Sequence, residues 1–230
     1  MGGASRSLPT KGVPKIGHIN IQQILLLIPA VLVGFTVHEF SHAYVAVRLG
    51  DRTPIDQGRY TLNPISHISL IGFILILFVG IGWAKPVQFN PDNFKKPRQG
   101  QILVALAGPV SNLILAIIFV LVLKLLILIN PALFQMQPYG PVVYRLLLAF
   151  VWINLLLFVF NLLPVPPLDG SHLVLGAIPD RYAGFKMGFM RYGAMALLIL
   201  VLISYVTPYN LLPIGYLTGR AFQLLTNLLL

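Results

Sequence analysis

The sequence predicts an all-α polytopic membrane protein: five to six membrane helices with a small re-entrant β-hairpin or loop element. Three observations predict it. Long apolar runs recur along the 230 residues, 57% of which are hydrophobic and 10% charged, with a mean hydropathy of +0.84. A soluble domain could not bury that much apolar surface. One run, Ile68 to Trp83, is short, punctuated by Gly72, Gly80 and Gly82, and flanked by strand-like pieces. Finally, 16 Lys and Arg stand against 6 Asp and Glu. That excess fits the cytoplasmic flanks of membrane helices, which face anionic lipid.

The same formal net charge of +10 would suggest nucleic acid in a soluble protein, but no basic stripe interleaved with aromatics is present, so nucleic acid is set aside as a partner. The chain has no cysteine, hence no disulfides and no thiolate ligands; any metal must take His or carboxylate.

In chain order, residues 1–17 read as a polar, flexible tail rich in Gly, Ser and Pro, and 18–230 as a single membrane-embedded domain. The first apolar run, about Ile19 to Leu49, is too long for a signal-peptide core and is read as a retained helix stopped at Gly50-Asp51. A polar stretch, Arg52 to Pro64, contains Gly58-Arg59-Tyr60-Thr61-Leu62, which suits a small strand or hairpin. After Ile68 to Trp83 comes a second strand-like piece, Lys85 to Phe89, then the basic loop Lys95 to Arg98. Gln101 to Ile129 and Val142 to Leu163 are each long enough to span. Pro164, Pro166 and Pro167 then forbid regular helix before Leu168-Asp169-Gly170. A fifth run covers about Gly188 to Val206. The last, Asn210 to Leu230, either spans or lies at the surface.

The residues that carry chemistry lie in the first run. His38-Glu39-Phe40-Ser41-His42 is an H-E-x-x-H motif inside a segment apolar enough to cross a bilayer. Ionisable groups are costly there and point to function. On a helix, residues four apart lie about 40° apart around the axis, so His38 and His42 can aim at one metal ion, with Glu39 placed to hold water as a base. This is the layout of a zinc peptidase site, which needs a third protein ligand. The other acidic residues are Asp51, Asp56, Asp92, Asp169 and Asp180. Asp169 stands out, because a broken, proline-rich stretch after a membrane helix is tolerated at membrane depth only where it lines a cavity or is buried in protein.

Topology tests that choice. Lys85, Lys95, Lys96 and Arg98 place their loop in the cytoplasm, and the loop Asn130 to Gly140, without Lys or Arg, falls outside. The next crossing returns Asp169 to the inside. For the H-E-x-x-H to meet it, the C-terminal end of the first helix must also face the cytoplasm. Both flanks of Ile68 to Trp83 then share one side, so that run is re-entrant. Arg6, Lys11 and Lys15 fall outside, against the same charge bias.

With Gly58-Arg59-Tyr60-Thr61-Leu62-Asn63-Pro64, Ala107-Gly108-Pro109-Val110-Ser111-Asn112 and Asn161-Leu162-Leu163-Pro164-Val165-Pro166-Pro167-Leu168-Asp169-Gly170 beside the H-E-x-x-H, the chain resembles the site-2 protease family of intramembrane zinc metalloproteases, in its compact microbial branch without a PDZ domain. The resemblance runs from about Ile19 to Gly176. It implies one membrane-embedded Zn2+, a site open towards the cytoplasmic side of a prokaryotic cell membrane, and hydrolysis within transmembrane protein substrates such as membrane-held transcription regulators or anti-sigma factors. Ser69-Leu70 departs from the Asp-Pro common in relatives at that place.

The expected site is therefore His38, His42 and Asp169 as metal ligands with Glu39 as catalytic base. The resemblance favours a substrate-positioning or oxyanion role for Asn161, whose plain alternative is a hydrogen bond between helices. Asn63 and Gln88 are candidates to contact an extended substrate added as a strand. His172, three residues from Asp169, is a candidate to orient it, and Gly108, Pro109 and Asn112 are read as shaping helix entry and close packing. A divalent-metal transporter or channel is the rival class, since it too wants His and Asp at depth. It gains nothing from a glutamate beside the first histidine.

Overall fold

Why the chain breaks where it does is visible at the first helix. A computed structural model describes residues 21–79, 84–206 and 211–229; the expected tail 1–17 and the end of the short apolar run, 80–83, lie outside the described residues. Helix α1 (Ile21–Arg48) ends as Gly50 takes a φ of +109°, a conformation L side chains rarely adopt, and the Asp51 N–H then caps the Ala46 carbonyl at 3.0 Å. Short helices α2 (Thr53–Asp56), α3 (Pro64–His67) and α4 (Leu70–Val79) follow. Helix α5 (Pro97–Ile129) opens on proline, whose missing N–H costs nothing at a helix start. Next come α6 (Tyr139–Asn161), α7 (Gly170–Ala177), α8 (Ala183–Val206) and α9 (Ile214–Leu229).

Among the described residues four helices are long and apolar enough to cross a membrane: α1, α5, α6 and α8. Their length and composition suit an integral membrane protein. The expected five to six are not reached among the described residues: there α4 has 10 residues, about 15 Å, and α9 has 16, about 24 Å, against a hydrocarbon core of about 30 Å.

The expected β-hairpin is also corrected. Among the described residues no strand forms, and the pairing reduces to one antiparallel bridge, Ile68 with Ala84, beside a 2.7 Å bond from Lys85 N–H to the His67 carbonyl. The amides of Val87 and Asn90 find side-chain acceptors instead of a neighbouring strand. Val87 N–H donates to Glu39 Oε2 at 2.9 Å and Asn90 N–H to Asp51 Oδ2 at 2.7 Å. At 58–62, Gly58 turns the chain with a φ of +66° and Arg59 N–H returns to the Pro54 carbonyl at 2.8 Å.

Helices α1, α5 and α6 pack pairwise, with α9 on the α5–α6 side and α7 against α5. Between helices in lipid, close approach of small residues replaces the hydrophobic drive. Accordingly Ala46 meets Val104 between α1 and α5, and Ala116 and Val120 meet Val151 and Leu155 between α5 and α6. Phe119 stacks on Phe150 at 4.1 Å, and Phe222 and Leu225 of α9 cover the second cluster. Helix α8 rests on the proline turn, where a β-carbon at Gly193 would stand 2.6 Å from Pro166 Cδ.

Candidate metal centre

Helix periodicity brings His38 and His42 to the α1 face that meets α5, with their rings 4.7 Å apart and nearly perpendicular. Glycine at 108 makes the approach possible: a β-carbon there would lie 2.5 Å from His42 Nε2 and 2.6 Å from His38 Nε2. Asp169 arrives from the far side. It occupies the N-cap position of α7, where an aspartate ordinarily accepts from the helix amides, yet it makes no cap bond. Its carboxylate turns to the histidines, with Oδ2 3.1 Å from His38 Nε2 and Oδ1 3.4 Å from His42 Nε2. The turn that carries it needs Gly170, where a β-carbon would stand 2.4 Å from the Leu162 carbonyl oxygen.

The donor set fits a metal ion. His42 Nδ1 lies 2.7 Å from the Val104 carbonyl oxygen. A carbonyl only accepts, so Nδ1 carries the proton and the Nε2 lone pair faces inward. That Nε2 is 3.1 Å from His38 Nε2, and Asp169 Oδ2 is buried without a hydrogen-bond partner. Acceptors thus converge with no protein donor among them, an arrangement a cation satisfies. Ligands around tetrahedral zinc lie about 3.3 Å apart for bonds of about 2.05 Å. The three ligand atoms here lie within 4.8 Å of one another. Glu39 is buried beside them in sequence, its Oε2 held by the Val87 amide.

The other expected residues lie elsewhere. Asn161, the last residue of α6, donates from Nδ2 to the Leu157 carbonyl of its own helix at 3.0 Å. Asn63 caps α3, its Oδ1 accepting from Ile65 N–H at 3.1 Å. Gln88 accepts from Gln57 Nε2 at 3.5 Å on an exposed face. The His172 ring lies 6.2 Å from that of Phe89, and its backbone N–H, not its side chain, bonds to the Asp169 carbonyl.

Sequence reasoning missed several partners. Asn112, read as a packing residue, is fully buried with Oδ1 2.7 Å from His38 Nδ1. The signal was available: 112 follows Gly108 by one helical turn, on the same face. Asp51 was also passed over. Its fully buried carboxylate accepts from Thr53 Oγ1 at 2.6 Å, Thr53 N–H at 3.0 Å, Asn93 Nδ2 at 2.7 Å and Asn90 N–H. Burial alone pushes this carboxyl up, but the bonds from Thr53, Asn93 and Asn90 outweigh it and hold it below its ordinary value. Asp51 thereby pins the segment that supplies the Val87 amide to Glu39.

A family model described as Peptidase family M50 matches residues 26–204, a span holding all four of His38, Glu39, His42 and Asp169. YwhC of Bacillus subtilis (strain 168), provisionally named a zinc metalloprotease, is 44% identical over 195 residues, 79% of this chain and 80% of its own. Rip2 of Mycolicibacterium smegmatis, named in the same way, is 30% identical over 174 residues, 74% of this chain but 62% of its own length. MJ0611 of Methanocaldococcus jannaschii, also so named, is 30% identical over 159 residues, 68% of this chain and 73% of its own. No solved structure matches. On the extent of the family match and the identity to YwhC, the chain belongs to peptidase family M50, the site-2 protease family.

Proposed function

We propose that this chain is a zinc-dependent intramembrane protease that hydrolyses peptide bonds within or near transmembrane segments of other membrane proteins. The observation that carries the reading is the convergence of His38 Nε2, His42 Nε2 and Asp169 between membrane helices, on a chain whose family is a peptidase family. His38 stands ten residues before the end of α1, about 15 Å along the axis, and Gly108 eleven residues into α5, about 17 Å. Both figures support a centre held at bilayer depth.

In this reading His38, His42 and Asp169 hold the metal. Bound zinc supplies Lewis acidity and makes water acidic enough to attack at neutral pH. Glu39, steadied by the Val87 amide, takes the proton from the attacking water and returns it to the leaving amine. A peptide bond inside a helix is shielded, so the substrate must unwind locally. Residues 84–90, which form no helix and reach Glu39 through Val87, offer an edge for such a segment. Asn63, Gln88 and Asn161 are kept as candidate substrate contacts, and His172 as a candidate support for Asp169.

Lys85, Lys95, Lys96 and Arg98 support a cytoplasmic-side site with the run Ile68 to Trp83 re-entrant, and the bacterial and archaeal relatives support a prokaryotic cell membrane. Membrane-held transcription regulators and anti-sigma factors are the proposed substrates. The transporter reading loses ground to the peptidase family match. Purified protein in liposomes, assayed for cleavage of a single-span substrate and for zinc flux, separates the two: cleavage abolished by Glu39→Gln supports the protease, and flux untouched by Glu39→Gln supports the transporter.

A further inference from the structure

Two asparagines sit where three membrane helices meet: Asn112 on α5 and Asn154 on α6, both fully buried. Sequence reading gave neither a part in the chemistry. We infer that Asn154 is a positioning residue for the metal centre: acting through Asn112, it holds the His38 ring in the tautomer that turns an Nε2 lone pair to the metal.

The polarity of the chain of bonds can be followed from one end. The Phe150 carbonyl can only accept, and it lies 2.8 Å from Asn154 Nδ2. The Asn154 amide is therefore oriented with Oδ1 towards Asn112, where it accepts from Asn112 Nδ2 at 2.9 Å. The same Nδ2 donates its second hydrogen to the Gly34 carbonyl of α1 at 3.1 Å. Both N–H groups of Asn112 are thus taken, and its Oδ1 faces His38 Nδ1 at 2.7 Å. Since Oδ1 only accepts, Nδ1 must carry the hydrogen, and the neutral ring is left with its lone pair on Nε2. That atom is the one that meets His42 Nε2 and Asp169 Oδ2, each at 3.1 Å.

Neither amide can turn over without loss. A flipped Asn154 sets Oδ1 against the Phe150 carbonyl, and a flipped Asn112 sets Oδ1 against the Gly34 carbonyl. Each is a contact between two acceptors at fully buried residues. His42 has its tautomer fixed by the main chain, at Val104. His38 depends on side chains, so its control can be removed by substitution.

The inference rests on His38 being a ligand, as proposed above. The experiment is run on full-length protein carrying Glu39→Gln, which excludes turnover as the readout. Zinc affinity is measured by chelator competition, and the His38 tautomer by NMR of metal-free protein labelled with 15N-histidine. Expected are an Nδ1–H tautomer in the parent and a loss of affinity of about 10- to 100-fold in Asn154→Leu, with a shifted His38 signature. Asn154→Gln, which keeps both an amide donor and an amide acceptor, is expected to lose less affinity than Asn154→Leu. An Nε2–H tautomer in the parent overturns the inference without any variant, as does wild-type affinity in folded Asn154→Leu. His38→Ala separates the two readings. If it still binds stoichiometric zinc, the ligand set fails; if it loses zinc while Asn154→Leu keeps it, the relay alone fails.

Discussion

Gly108 of α5 lies so close to His42 of α1 that a β-carbon at position 108 would stand 2.5 Å from the His42 Nε2. The close approach of two membrane helices and the shape of the candidate metal centre are therefore the same contact. Gly108→Ala is expected to lower zinc affinity by at least about tenfold, the scale on which supporting contacts act. Elemental analysis of purified protein at limiting zinc checks it; full occupancy would show that the rings can yield to a methyl group.

Asp169 and Gly170 make a paired prediction. Asp169→Ala removes a carboxylate facing both Nε2 atoms, so loss of bound metal is expected; stoichiometric zinc with full activity would remove it from the ligand set. Gly170→Ala keeps every ligand but puts a β-carbon 2.4 Å from the Leu162 carbonyl oxygen. Its backbone must shift, at a cost of about 1–3 kcal/mol in thermal stability, and zinc affinity should fall with it.

Asp51 predicts a pH dependence. Its carboxyl is held below its ordinary value in the folded protein. A depressed folded value contributes stability that is complete above the unfolded value, about 3.9, and is lost as pH falls through the folded one. Wild type should therefore lose more thermal stability than Asp51→Asn between about pH 5 and pH 3. At neutral pH Asp51→Ala leaves the Asn90 and Asn93 donors unmatched and should cost about 3 kcal/mol. Parallel melts of the two proteins that keep a constant gap across that pH range would contradict it.

Topology is testable with reporter fusions at Arg52 and Lys95. On the re-entrant reading of Ile68 to Trp83, both reporters should fall on one side, the cytoplasmic one. Opposite sides would rule out the re-entrant arrangement.

Much of this was legible in the sequence because membrane proteins carry few charges. His38 and His42 are four apart on an apolar run, and Asp169 stands in a broken stretch where a carboxylate needs a reason. What stayed hidden depends on contacts between distant segments. The piece Lys85 to Phe89 has the composition of a strand, but the amides of Val87 within it and Asn90 after it are taken by Glu39 and Asp51, which no local pattern announces. Asn112 and Asn154 look like ordinary polar residues in apolar helices; only packing of α1, α5 and α6 lines them up behind His38. The last run reads as a possible span, and its 16-residue helix falls short.

The central claim is that Glu39 acts on water beside a metal held by its neighbours. The most direct measurement is cleavage of a single-span model substrate by zinc-loaded wild type and Glu39→Gln, with metal content determined on the same samples. Full zinc in both with cleavage lost in Glu39→Gln is the predicted result. Equal cleavage by the two proteins would contradict the account.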